Sequence, residues 1–189
     1  MFEELIKIDK ELFLYLNNLG TPTWDEFWLY LSKTLSFVTI PMLLLLLFTS
    51  YYFFGWKKTI VILVMGSIAL LIVEQSSVIV KISVRRLRPC YDLDIKELMR
   101  QVKNYCGGRF SYFSGHATNS SALASFFIVL LKDKLKFLTL FLCVWAILVG
   151  YSRIYIGVHF PLDVITGFVF GSLFGSLFAW RTLKIIAKY

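Results

Sequence analysis

The stretch Ser152-Arg153-Ile154-Tyr155-Ile156-Gly157-Val158-His159-Phe160-Pro161-Leu162-Asp163 joins two apolar segments, residues 137–150 and 164–180, of a hydrophobic chain. It holds a permanently charged guanidinium, an imidazole and, four residues beyond that, a carboxylate. Charge at the depth of lipid is costly and is kept where it does chemistry. The stretch therefore reads as the turn between two membrane helices, with a functional site at one end of a helical bundle.

Composition agrees. The chain has 189 residues, 58% of them hydrophobic, and a mean hydropathy of +0.70, more apolar surface than a core of this size can hide. An ordinary soluble domain is excluded. Residues 35–54 form an uncharged run long enough to span, and 59–80 form a second that contains one acid, Glu74. Residues 117–131, 137–150 and 164–180 supply three more, so five spans are expected in a bundle covering 35–180. Two of these are only about 14 to 15 residues, roughly 21 to 23 Å of helix against a hydrocarbon core of about 30 Å. The lysines of 132–136 can extend them by snorkelling.

Before the first span, Leu5, Ile8, Leu12, Leu16 and Leu19 recur at helical spacing, with Glu4, Lys7, Asp9, Lys10 and Glu11 on the remaining surface. Gly20-Thr21-Pro22 interrupts the pattern, and Trp24, Phe27, Trp28 and Leu31 resume it. Residues 1–34 thus read as two amphipathic helices lying in the interface. Met-Phe-Glu-Glu lacks the basic start of a cleavable signal peptide. The whole, 1–189, is expected to be a single all-α, polytopic membrane domain.

Two more polar clusters precede the first in sequence. Lys81, Arg85, Arg86 and Arg88 close the second span and lead into Pro89, and Ser114-Gly115-His116 opens the third. His116 and His159 are the only histidines. As spacing, the chain carries Lys81, six residues, Arg88-Pro89; then Ser114-Gly115-His116; then Ser152-Arg153, five residues, His159, three residues, Asp163.

This pattern resembles the three-part signature of the type 2 phosphatidic acid phosphatases, membrane lipid phosphatases that share a fold with vanadium haloperoxidases. Phe113 stands where that family usually has proline. The resemblance implies a lipid phosphatase acting through a phosphohistidine. His159 would be the nucleophile, Asp163 its orienting carboxylate, and His116 the general acid and then the base for water. Lys81, Arg88 and Arg153 would hold the phosphate, the arginines by paired N–H bonds and the lysine as a point charge. Ser114 and Gly115 would add backbone donors at a helix N-terminus, where a simple helix cap by Ser114 is equally compatible. Arg85 and Arg86, outside the signature, read as snorkelling interfacial cations. Glu74, two turns before Lys81, either orients a basic residue of the site or is buried between helices.

With two histidines and scattered acids, no metal and no cofactor are expected. The net charge of +8 is accounted for by membrane anchors plus a phosphate site, without a nucleic-acid partner. Cys90 and Cys106 bracket the long connection within the loop 81–115 and are expected to form a disulfide, since paired cysteines serve best in an oxidising compartment. Lys/Arg counting alone leaves orientation open. The cysteines and the resemblance place the site on the periplasmic face of a bacterial inner membrane. Gly167, Gly171 and Gly175 form a stripe suited to close helix packing, within the chain or across a homodimer.

Undecaprenyl diphosphate is the leading substrate expectation, because no added domain is present to read a large saccharide. Lipid A, phosphatidylglycerol phosphate and phosphatidic acid are alternatives. A vanadate-dependent haloperoxidase and a non-enzymatic lipid carrier or flippase are the rival classes. Five spans disfavour the first, and two histidines in one signature disfavour the second.

Overall fold

The computed structural model describes residues 2–33, 36, 38–102 and 106–189. The expected start of the first span at residue 35 and the middle of the long connection, 103–105, lie outside the described residues. All regular elements among them are helical: α1 (Phe2–Asn18), α2 (Pro22–Leu31), α3 (Thr39–Val84), α4 (Gly115–Leu131), α5 (Lys136–Tyr155) and α6 (Pro161–Ile186), with a short 3-10 turn at Pro89–Tyr91. One isolated antiparallel bridge, Leu87 to Phe110, ties the ends of the long connection.

A straight α3 of 46 residues would run about 69 Å, twice the hydrocarbon thickness. It does not run straight, because Gly55 (φ 75°, ψ 168°) leaves helical geometry in its middle, a conformation open to glycine and hostile to a side chain. Thr39 faces the same cavity as Glu74, and Leu43 the same as Leu70, so the halves run antiparallel. Three helices, α3, α5 and α6, are long and apolar enough to cross a membrane, and α4 is a shorter apolar helix. Counted with the two halves of α3, five apolar helical segments result. The fourth is longer than the sequence suggested, since α5 continues through Arg153 to Tyr155.

Helix α4 lies against α3, α5 and α6. Its closest neighbour is α6, and the glycine stripe explains why. A Cβ on Gly167, Gly171 or Gly175 would approach Ser114 O to 2.8 Å, Thr118 O to 2.2 Å and Ala122 O to 2.2 Å, respectively. All three glycines are buried and occupied by contacts within the chain, which leaves the expected dimer contact without support. Phe126, Leu130, Leu131, Leu142 and Ile62 form the core at the end away from the site. Phe13, Ile95, Met99, Ile154 and Phe160 form a second core at the other end.

That second core carries α1, while α2 packs through Trp28 and Leu31 on the first. Leu5, Ile8, Leu12 and Leu19 face outward, as an interfacial helix requires of its apolar stripe, while Asp9, Phe13 and Asn17 are buried at helical spacing. Asp9 is therefore not on the exposed polar surface, where the sequence put it. Asn17 Nδ2 donates to Tyr155 O at 2.8 Å and its Oδ1 accepts from Arg100 N at 2.7 Å. Asp25 pairs with Arg100 and accepts from Tyr155 Oη. These bonds fasten both helices across the end of the bundle where α5 stops and α6 starts.

Candidate active site

All three sequence clusters converge at that end. Lys81, Arg88, Gly115, His116, Arg153 and His159 line one cavity of ≈ 500 Å³. Each is held by its own local structure. Lys81, in the last turn of α3, donates from Nζ to Ser77 Oγ at 2.7 Å. A Cβ on Gly115 would lie 3.4 Å from that Nζ, so the bare backbone lets the α4 N-terminus approach the ammonium.

Arg88 leaves α3 in extended conformation just before Pro89. Its Nη1 donates to Cys106 O at 2.7 Å and its Nε to Phe110 O at 3.2 Å. Cys106 is joined to Cys90 by a disulfide, with Cα atoms 6.4 Å apart, so the cross-link fixes one of the acceptors that aim Arg88. Arg153, 7% exposed in the last turn of α5, donates from Nη1 to Ser32 Oγ and Ser32 O. Ser32, directly after α2, is a contributor that no motif spacing announced.

Ser114 is fully buried. Its Oγ caps α4 by accepting from Ala117 N at 3.5 Å, and its backbone N donates to Asp163 O at 3.0 Å. The cap tilts the first turn of α4, with Gly115 and His116, into the cavity. The Tyr112–Phe113 peptide leading into it is cis. Glu74 also lines the cavity, and its Oε2 accepts from Asn119 Nδ2 at 2.6 Å.

Pro161 starts α6, and Asp163 Oδ2 accepts from Phe160 N at 2.9 Å, closing the first turn. The same Oδ2 stands 3.4 Å from His159 Nδ1. His159 is 2% and Asp163 0% exposed. Burial, reinforced by the charges of Arg88, Arg153 and Lys81, holds the His159 imidazole well below its ordinary pKa of 6.5. The ring is consequently neutral at pH 7, the state in which nitrogen carries a free lone pair.

Arg86 is where the sequence reading fails. Rather than snorkelling, it donates from Nη1 to Asp163 Oδ1 at 2.9 Å and from Nη2 to Asp9 Oδ2 at 2.5 Å. Its guanidinium also lies 4.0 Å from the Phe160 ring centre. Arg85, by contrast, is exposed and donates from Nε to Ile82 O at 3.2 Å. Among the described residues, no group of three or more His, Cys, Asp or Glu is placed to hold a metal ion.

Such an arrangement can bind an oxyanion between fixed cations, with a neutral buried imidazole and a second histidine on the same cavity wall. Known proteins agree with this chemistry. The chain is 32% identical over 190 residues to the lipid A 4'-phosphatase of Bacteroides thetaiotaomicron, covering 100% of this chain and 83% of that protein. A shorter match, 46% over 63 residues, is to an undecaprenyl-diphosphatase of Sulfolobus acidocaldarius and covers 33% of this chain and 29% of the other. The crystal structure of a transmembrane PAP2-type phosphatidylglycerolphosphate phosphatase from Bacillus subtilis has the same fold. It superposes with a TM-score of 0.72 at 22% identity over 96% of this chain and 88% of that one. The PAP2 superfamily model matches residues 57–186, from the second half of α3 to the end of α6 and across every motif that lines the cavity. The chain thus belongs to the PAP2 superfamily and is a membrane lipid phosphatase.

Proposed function

We propose that this phosphatase removes a phosphate from a glycolipid phosphate of the lipid A class at the outer face of a bacterial inner membrane. The observation that carries the reaction is the cavity onto which Lys81, Arg88, Arg153 and both histidines open. The lipid A relative extends over the full chain, whereas the undecaprenyl-diphosphatase match extends over a third of it. For that reason lipid A replaces undecaprenyl diphosphate as the leading substrate.

In the mechanism, Arg88, Arg153 and Lys81 bind the phosphoryl oxygens and stabilise the charge that grows on them. His159 attacks phosphorus through Nε2 and forms a P–N bond. As the bond to the lipid oxygen breaks, His116 donates a proton to that oxygen. Asp163 stabilises the imidazolium through Nδ1. Water, deprotonated by His116, then attacks phosphorus and releases inorganic phosphate and neutral His159.

The chain works in this reading as one membrane domain, 1–189. Residues 1–34 lie in the outer interface, 35–180 form the bundle, and loop 81–115 faces the periplasm. The disulfide, which belongs in an oxidising compartment, supports that orientation.

Purified protein in detergent with a chelator should release phosphate fastest from lipid A in a panel with undecaprenyl diphosphate, phosphatidylglycerol phosphate and phosphatidic acid. Faster turnover of undecaprenyl diphosphate would return that lipid to first place. No phosphate release from any of the four would refute the reading.

A further inference from the structure

The signature accounts for His159 and Asp163 but not for what holds Asp163. The carboxylate is fully buried, and each oxygen has its own partner: Oδ2 accepts from Phe160 N, and Oδ1 accepts from Arg86 Nη1. The other arm of the same guanidinium reaches Asp9 Oδ2. Asp9 Oδ1 accepts from Leu162 N at 2.8 Å, the backbone next to Asp163. A closed circuit results, running Asp163, Arg86, Asp9, Leu162 and back along the chain. Phe160 lies beneath the guanidinium and against Phe13 of α1, with ring centres 5.3 Å apart.

We propose that Arg86 and Asp9 are positioning residues of the phosphatase, which set the orientation and charge of Asp163 and through it of His159. Neither belongs to the signature, and neither touches the cavity. Arg86 supplies the fork that a carboxylate pair requires and a lysine cannot reproduce. Asp9 comes from α1, which lies along the outer edge of the bundle with its apolar face turned away from the protein. The interfacial helix therefore contributes to the catalytic end of the molecule and does not serve only as an anchor.

Charge gives the proposal a directional test. Around His159 stand Lys81 from α3, Arg88 from the connection, Arg153 from α5 and Asp163 from α6, with His116 from α4 on the same cavity. Arg86 and Asp9 form the next layer behind Asp163. Removing Arg86 leaves the negative charge of Asp163 less compensated, which favours imidazolium and raises the His159 pKa. Removing the charge of Asp9 frees Arg86 to compensate Asp163 more fully, which lowers it.

The experiment rests on the phosphatase reading and uses full-length protein in detergent with the panel lipid that the wild type turns over fastest. Arg86→Gln should lower kcat by roughly 10 to 100-fold, the cost of misplacing a reacting group by a fraction of an ångström to 1 Å. KM should change little, and the acid limb of kcat/KM should move up by about half a pH unit or more. Arg86→Lys should rescue less than half of the lost rate. Asp9→Asn keeps an acceptor for Leu162 N and should move the limb the opposite way with a smaller loss of kcat. If Arg86→Gln does not fold, Asp9→Asn alone decides. A loss of activity with an unmoved acid limb, or a kcat within twofold of wild type in both variants, overturns the proposal. An inactive wild type would instead strike at the phosphatase reading.

Discussion

Placing a single methyl group at Gly171 should disable the enzyme from a position that no substrate reaches. A Cβ there would lie 2.2 Å from Thr118 O, 2.2 Å from Ser121 Oγ and 2.9 Å from Thr118 C. The nearest of these is 1.2 Å inside the 3.4 Å of ordinary contact. Ser121 can rotate away, but the Thr118 carbonyl is helix backbone and cannot. Helices α4 and α6 must then separate by about 1 Å, at an overpacking cost of about 1–3 kcal/mol. Helix α4 carries Ser114-Gly115-His116 and α6 carries Asp163, so the separation also opens the site. A displacement of about 1 Å can cost 10²-fold in rate.

Gly171→Ala should therefore lose thermal stability and reduce kcat by one to two orders of magnitude, read as phosphate release and as a melting curve in the same detergent. Gly66→Ala is the control. Its Cβ would meet Phe126 at 3.4 Å, an ordinary contact, and replacing a mid-helix glycine should stabilise by about 0.5–1 kcal/mol. Wild-type melting and turnover in Gly171→Ala would refute the claim that α4–α6 contact sets the site geometry.

His159→Ala should abolish release, while His116→Ala should slow it by about 10² to 10⁴, the usual contribution of a general acid; rapid-quench detection of phosphoenzyme separates the two roles. Arg88→Lys and Arg153→Lys should be nearly as damaging as the alanine variants in steady-state kinetics, since one ammonium does not replace a fork. The lowered pKa of His159 fixes a sign in pH: the acid limb of kcat/KM should fall below pH 6.5. Because the unfolded histidine binds its proton more readily than the folded one, His159 should also make stability decline as pH drops below 6.5 toward the folded value, which thermal melts across pH will read. Cys90→Ser should cost about 3 kcal/mol by loop-closure entropy and lower kcat as well, because Cys106 O helps to aim Arg88.

The sequence foretold the bundle because lipid imposes a one-dimensional rule, an apolar run of fixed length, which composition displays directly. The family signature singled out Lys81, Arg88, Gly115, His116, Arg153 and His159, far apart in the chain, and the fold brings all six to one cavity. Two spans at 35–54 and 59–80 already required the chain to reverse between them, and the structure places that reversal at Gly55, inside one continuous run of helix from Thr39 to Val84. The signature did not find Asp9, Ser32 or Arg86. Asp9 sits among Lys7, Lys10 and Glu11, and no local pattern marks which of four neighbouring charges turns inward. Its burial is decided by Phe13 and Asn17, one and two turns on, whose partners lie more than a hundred residues away. Contacts of that range leave no trace in periodicity.

The way each cation is held divides the basic residues near the site into two kinds. Lys81, Arg88 and Arg153 are oriented by neutral oxygens, Ser77 Oγ, Cys106 O with Phe110 O, and Ser32. A hydroxyl or carbonyl aims a cation without cancelling its charge. Arg86, Lys10 and Arg100 are instead held by carboxylates, Asp163 with Asp9, Asp92 with Asp94, and Asp25. Those three pairings tie α1, α2 and the long connection to the end of the bundle. The first set presents positive charge to a cavity, and the second set fastens the frame around it. Exchanging the acceptor of one group for that of the other should therefore be costly in an asymmetric way. Ser77→Asp beside Lys81 would place a carboxylate where a phosphate oxygen competes for the same ammonium and weaken binding, whereas Asp94→Ser at the exposed end of the Lys10 pair should leave turnover near wild type.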